Sequence, residues 1–229
     1  MEIAVYGHYG HAVLMFPSAA ADFLEYERFY VLKGLRPYIE AGQFKVFSIN
    51  SINREAWLNN YMPGHLKGIR HQQYNRYIED EVVPFIHAHC QGLVPILTTG
   101  VSLGALLSAN AFFRRPDLFK GVLALSGSFD LQDYTKGYYD ENVYFNSPMA
   151  YLSNLGEGEL LSQMRNRKHI YIVSGQGNYE NPDRSRQFSA LLHQKGIPHV
   201  LDLWGYDMPH DWPTWRGMFP HFLGGRIRL

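Results

Sequence analysis

Short apolar runs of strand length alternate along the chain with longer stretches whose apolar positions recur at helical spacing. Ile3-Ala4-Val5-Tyr6, within residues 2–6, and Ala12-Val13-Leu14-Met15-Phe16 are the first two strand-like runs. Gly7-His8-Tyr9-Gly10 joins them and reads as a hairpin turn, which predicts an N-terminal antiparallel pair. A small-residue loop, Ser18-Ala19-Ala20-Ala21-Asp22, leads into a helix predicted over about 23–40 and stopped at Gly42. Phe44-Lys45-Val46-Phe47-Ser48-Ile49 is the next strand, followed by a loop from Asn50 to Lys67. Tyr74, Tyr77, Ile78, Val82, Phe85 and Ile86 lie at helical spacing and predict a helix over about 69–89, kinked or broken at Pro84.

The second half keeps the rhythm. Leu93-Val94-Pro95-Ile96-Leu97 has a strand's length, with its proline tolerable only near the start. A helix through Ala105–Phe113 stops at Pro116. Val122–Ser126, His169–Ser174 and His199–Trp204 are further strands. Helices are expected near 157–165, from Asn181-Pro182 to Gly196, and from Asp211-Trp212-Pro213 onward. Residues 127–151 interrupt the alternation with a polar, tyrosine-rich insertion, a lid or a cleft wall. Strands alternating with helices predict a mostly parallel central sheet with helices on both faces, in one domain spanning 1–229.

Composition narrows the function. The chain is 46% apolar and 18% charged, which suits a folded protein with a large core. Lys+Arg and Asp+Glu balance at 21 each, and no basic stripe or polybasic run points to nucleic acid or a membrane surface. A lone cysteine, Cys90, forbids an internal disulfide and a cysteine zinc cluster, and it fits a reducing cytosol. The amino terminus lacks the basic start and long apolar core of a signal peptide, so a cytoplasmic location is expected. No run approaches the roughly 18 apolar residues of a membrane span.

The strongest chemical signal is Gly100-Val101-Ser102-Leu103-Gly104, a G-x-S-x-G match set between a strand and a helix. In that setting the serine sits on a tight bend, and its hydroxyl is pushed out at the carboxyl edge of a sheet. A serine hydroxyl needs a base, and the base needs an orienting acid. In an open parallel sheet both must come from loops after later strands. His210, directly after the last strand in Met208-Pro209-His210-Asp211-Trp212, is the base candidate; the plain alternative is a histidine packed beside Trp212 and Trp215.

The acid should follow His169–Ser174, where the loop reads Gly175-Gln176-Gly177-Asn178-Tyr179-Glu180-Asn181-Pro182-Asp183. Asn181 reads as a helix N-cap, with Pro182 as the first helical residue. Asp183 then has a sufficient task in complementing the helix dipole. Glu180 has none, and it is preferred over Asp183; Asp130 and Asp207 rank below both. For an oxyanion the backbone N–H of Leu103 is one candidate donor, and Ala19, with Ala20 in reserve, is the other. Trp57, Tyr139 and Trp212 are candidate cleft-wall aromatics, with core or surface packing as the alternative for each.

Ser102 in Gly-Val-Ser-Leu-Gly, Glu180 in Gly-Gln-Gly-Asn-Tyr-Glu and His210 in His-Asp-Trp-Pro-Thr-Trp resemble the putative-esterase family of α/β-hydrolases. That family includes esterase D-like enzymes, enterochelin esterases, feruloyl esterases and mycolyltransferases. The likeness runs over nearly the whole chain. It implies an α/β-hydrolase fold and serine ester hydrolysis or acyl transfer on a small-molecule ester, without a cofactor. The Gly-x-Gly-x-x-Glu stretch is similar to the acid loop of the mycolyltransferases. The loop Phe16-Pro17-Ser18-Ala19 departs from the His-Gly or Asp-Gly of many relatives.

The leading reading is a carboxylic-ester hydrolase. Acyl transfer by the same residues and a non-catalytic binding protein on the same fold are the alternatives, and an intact Ser, His and Glu set argues against the last. Gly175-x-Gly177 lacks the third glycine of a nicotinamide-binding turn, and no ligand cluster has the spacing of a metal site.

Overall fold

In the computed structural model, which describes residues 1–229, the strand that leads to Ser102 is the middle strand of a seven-stranded sheet. The strands are β1 (Ile3–Tyr6), β2 (His11–Phe16), β3 (Phe44–Ile49), β4 (Ile96–Val101), β5 (Gly121–Leu125), β6 (His169–Ser174) and β7 (Val200–Leu203). Their spatial order is β1-β3-β2-β4-β5-β6-β7. Every neighbouring pair is parallel except β1 with β3.

The antiparallel strand expected at the amino end is therefore present, but its partner is β3 and not β2. Tyr6 lies opposite Val46, and His11 lies opposite Phe44 on the other side of β3. The Gly7–Gly10 loop thus passes the start of β3 instead of folding back as a hairpin. Gly10 makes this passage possible. Its φ is +95°, and a Cβ there would lie 2.4 Å from the Gln43 carbonyl.

The helices are α1 (Glu25–Arg28), α2 (Val31–Glu40), α3 (Gly64–Tyr77), α4 (Val83–His89), α5 (Leu103–Arg114), α6 (Gln132–Thr135), α7 (Glu141–Tyr144), α8 (Pro148–Ser153), α9 (Glu159–Arg165), α10 (Pro182–Gln194) and α11 (Trp212–Phe219). The helix expected over 23–40 is two helices, because Tyr30 between them adopts φ 63°. Around Pro84 the helix widens without stopping. A π-helical turn over Ile78–Val82 joins α3 to α4 and relieves the clash between the proline ring and the carbonyl four residues earlier. Pro95 shifts β4 in the same way. A residue without an N–H cannot join the ladder of a central strand, so β4 begins at Ile96 and Leu93 stays exposed.

Side chains alternate between two cores across the sheet. Ala12, Leu14 and Phe16 face the larger one, under α3, α4, α5 and α10; Val13 and Met15 face the smaller one, under α2, α11 and the π-helical turn Pro220–Arg226. With both faces covered, every residue of β2, β3, β4 and β5 is buried.

The 127–151 insertion is clasped to α3 and α5. Lys67 Nζ donates to the carbonyl of Tyr134 at 3.2 Å, and a Cβ on Gly68 would lie 2.8 Å from that of Asn142. Asn146 Oδ1 accepts hydrogen bonds from Asn75 (2.7 Å), Asn110 (2.8 Å) and Arg114 (3.2 Å). Asn75 and Asn110 would lose this acceptor if the insertion lifted away, while Arg114 Nη1 would keep Gln72 Oε1 at 3.0 Å.

Candidate active site

Ser102 stands between β4 and α5 with φ 57° and ψ −122°, a conformation that L-residues avoid and that only a well-braced turn sustains. The two glycines of the motif provide the bracing. A Cβ on Gly100 would lie 2.4 Å from the carbonyl oxygen of Gly104, and one on Gly104 would lie 2.5 Å from that of Phe16. These obstacles are backbone atoms, so no side chain larger than hydrogen fits at either position. Strand, helix and the end of β2 therefore meet at van der Waals distance, with the serine hydroxyl thrown clear.

That hydroxyl meets the imidazole of His210, Oγ to Nε2, at 3.0 Å. On the far side of the ring, Nδ1 donates to Glu180 Oε2 at 3.2 Å. With the proton of the neutral ring on Nδ1, Nε2 is free to accept from the serine. Three residues from the ends of β4, β6 and β7 thus form one hydrogen-bonded chain.

The loops that carry His210 and Glu180 are zipped together through backbone. Gly177 N–H donates to the Met208 carbonyl at 2.9 Å, and His210 N–H donates to the Asn178 carbonyl at 2.9 Å. A Cβ on Gly175 would lie 2.1 Å from the Met208 carbonyl oxygen, which explains the glycine there. The His210 ring also rests edge-on against Trp215, centroids 4.9 Å apart.

Glu180 has a side chain only 1% exposed. Its Oε1 accepts from Ser126 Oγ at 2.5 Å and from Gly175 N–H at 3.3 Å, and its Oε2 accepts from Ser174 Oγ at 3.2 Å. Burial pushes this carboxyl up, but the hydrogen bonds from His210, Ser126 and Gly175 and the imidazole charge more than offset it. The net value lies below the usual carboxylate range. Ser126 is oriented in turn by Trp215, whose Nε1–H donates to its Oγ at 3.0 Å. Sequence reasoning did not single out Ser126 or Ser174, and it named Trp215 only as a packing neighbour of His210. The available signal was position: both serines lie at the carboxyl ends of parallel strands, and Trp215 closes the His-x-Trp-x-x-Trp stretch.

Asp183 stands apart in the first turn of α10, 75% exposed and paired with Arg186 at 2.7 Å. Asn181 holds the N-cap position, but its side chain makes no capping bond and lines the cavity beside Ser102. Leu103 opens α5 directly after Ser102. Ala19 is half-buried and Ala20 exposed, on the loop whose Pro17 carbonyl lies against Gly104. Glu25 anchors this loop by accepting from Ser18 N–H at 2.7 Å and from the Ser18 hydroxyl. Asn53 Nδ2 adds a bond to the Ser18 carbonyl at 3.1 Å.

The cavity that opens on Ser102 and His210 is about 230 Å³, and its wall is polar. Tyr134 and Tyr179 are its only apolar members. None of the three aromatics singled out in the sequence lines it. Trp57 is 2% exposed and packs on His71 under α3, so it belongs to the core. Tyr139 projects from the insertion, 55% exposed. Trp212 stacks on Phe29 at 4.3 Å. A hollow of about 730 Å³ between β1, α1 and α2 holds none of the three bonded residues.

The sequence pattern of the family described as Putative esterase matches residues 38–225. A search of the curated proteins finds no match. Among solved structures, the chain is similar to a ferulic acid esterase, with TM-score 0.71, 19% identity, and coverage of 94% of this chain and 84% of that one. It is similar to MPT51 of Mycobacterium tuberculosis, with TM-score 0.69, 15% identity, and coverage of 97% and 90%. It also resembles the S-formylglutathione hydrolase FrmB of Staphylococcus aureus, with TM-score 0.65, 14% identity, and coverage of 96% and 82%. At these identities the likeness is one of fold. No helix is long and apolar enough to cross a membrane.

Proposed function

The chain belongs to the putative esterase family and is a carboxylic-ester hydrolase, and from that premise we propose that Ser102, His210 and Glu180 act as its catalytic triad through an acyl-enzyme. The observation that carries this reading is the unbroken hydrogen-bonded chain, 3.0 Å from Ser102 to His210 and 3.2 Å from His210 to Glu180.

In the proposed sequence, Ser102 Oγ attacks the ester carbonyl carbon as its proton passes to His210 Nε2. Glu180 fixes the ring and stabilises its charged form, a task suited to a carboxyl held below the usual range. The N–H groups of Leu103 and Ala19 are the proposed donors to the tetrahedral oxyanion. Collapse breaks the bond to the alcohol, which leaves with the proton from His210. Water then gives a proton to His210 and attacks the acyl carbon; as the bond to Ser102 Oγ breaks, His210 returns that proton to the serine and the acid leaves.

The test is turnover of 4-nitrophenyl acetate together with labelling by a fluorophosphonate probe. Ser102→Ala is expected to lose labelling, and both Ser102→Ala and His210→Ala to lose at least about 10³-fold in kcat. Full activity in Ser102→Ala would overturn the assignment.

A further inference from the structure

The cavity beside Ser102 has one cationic side chain besides the histidine, and that is Arg184. A second hollow of about 180 Å³ adjoins the first and shares Ser128 and Arg184 with it; its wall adds Asp130, Gln132, Asp133, Met149 and Gln187. The guanidinium therefore stands at the junction of the two spaces. Its Nη2 meets Asp133 Oδ2 at 2.5 Å, while Nε and Nη1 have no protein acceptor. Asp133 is 56% exposed, so this pair is weak and exchangeable. Arg184 also sits in the first turn of α10, where a cation opposes the helix dipole. A structural role in the helix does not account for it.

Arg184 offers a planar set of donors to an open, polar space next to the nucleophile candidate. Such a fork fits a carboxylate or a phosphate, and the group already seated on it, that of Asp133, is a carboxylate. The one carboxylate in the first cavity, Glu180, is turned away beneath His210 and does not compete. A long alkyl chain would find only two tyrosine rings in the first cavity and Met149 in the second to cover it.

We propose that Arg184 is a substrate-recognition residue, and that the preferred substrate is a compact ester bearing a carboxylate, which displaces Asp133 from the guanidinium. This rests on the assignment of Ser102 as nucleophile. The carboxylate belongs to either the acyl or the alcohol portion, and two substrate pairs separate these sources. The acyl pair is 4-nitrophenyl hydrogen succinate against 4-nitrophenyl butyrate. The alcohol pair is 4-acetoxybenzoate against its methyl ester.

For each pair the readout is the ratio of kcat/KM, charged over neutral, in wild type, Arg184→Gln, Arg184→Lys and Asp133→Asn. We expect Arg184→Gln to lower the ratio about tenfold in one pair, Arg184→Lys to lower it less, and Asp133→Asn to raise it. A merely structural loss would slow both members of a pair alike and leave the ratio unmoved. A fall below threefold in both pairs overturns the role of Arg184 while leaving the ester hydrolase reading intact. Wild-type protein that turns over none of the four esters overturns both.

Discussion

Glu180 must keep a negative charge where almost no water reaches it. Donors from Ser126, Ser174, Gly175 and His210 do what solvent would otherwise do. Replacing it by Gln keeps the shape but removes the charge that fixes the imidazole proton on Nδ1. We expect Glu180→Gln to lower kcat by roughly 10³–10⁴, as loss of a triad carboxylate does elsewhere. Asp183→Asn, on an exposed side chain, should change steady-state ester turnover less than twofold. The opposite ranking would transfer the acid role to Asp183. The folded-state value of Glu180 lies below the usual range, so its stabilising contribution is complete above the ordinary carboxylate value of about 4.3. It is lost as pH falls through the lower folded value. The meeting of Ser102, His210 and Glu180 was legible because the motif and the capping logic act over short sequence distances, and the order of strands along the chain sets which loops share one sheet edge. The bonds made by Ser126, Ser174 and Trp215 were not. Nothing local marks a serine as the one that will meet a carboxylate 54 residues away.

Elements were legible where periodicity alone decides them, as in β3 and β6, which occupy the expected residues. They were only partly legible where one residue's backbone chemistry competes: Pro84 and Pro95 were marked as disturbances, but the π-helical turn and the start of β4 at Ile96 were not, and nothing marked Tyr30. The short connection from β2 to α1 shows how such an element can serve the site. Glu25, 3% exposed, accepts both the backbone and the hydroxyl hydrogen of Ser18, and so sets the course of the loop that carries Ala19. Burial raises this carboxyl, the Ser18 bonds lower it, and the net shift is upward. A raised folded value means that its contribution is complete below the unfolded carboxylate value and declines as pH rises through the folded one. Glu25→Gln keeps an acceptor for Ser18 N–H and a partner for the hydroxyl, and it cannot ionise. We expect it to retain activity within about threefold and to lose less stability than wild type between pH 4 and 7, measured by urea denaturation. Glu25→Ala strands the Ser18 N–H and should cost about 2 kcal/mol and at least about tenfold in turnover. Equal effects of Gln and Ala would show that the loop does not depend on this acceptor.

At the scale of the molecule, alternation of strand and helix was enough to foretell a mostly parallel sheet covered on both faces. The partner of β1 was not foretold, because a short glycine-rich loop is compatible with a fold-back or with a step past an intervening strand. Only the tertiary placement of β3 decides between them. The covering of the smaller core also depends on a distant segment. Phe222, Leu223 and Ile227, from the π-helical turn and the residue after it, are buried there with Phe219 and Trp215 of α11. Trp215 is the residue that reaches Ser126 and the His210 ring, so this covering lies directly behind the site. Phe222 itself contacts Tyr171 of β6 at 5.4 Å between ring centroids. Phe222→Ala removes a ring that the closed core cannot easily refill, at a cost of about 3–5 kcal/mol. That is a large share of the roughly 5–15 kcal/mol that holds a domain together, and at this size it amounts to a Tm lower by about 6–20 °C. The hydrogen bonds that link Ser102, His210 and Glu180 do not pass through Phe222. Turnover per folded molecule at 20 °C should therefore stay within about threefold of wild type, measured after correcting for the folded fraction by near-ultraviolet circular dichroism. A variant that keeps its Tm but loses turnover would mean that the smaller core tunes the site directly and does not merely hold it.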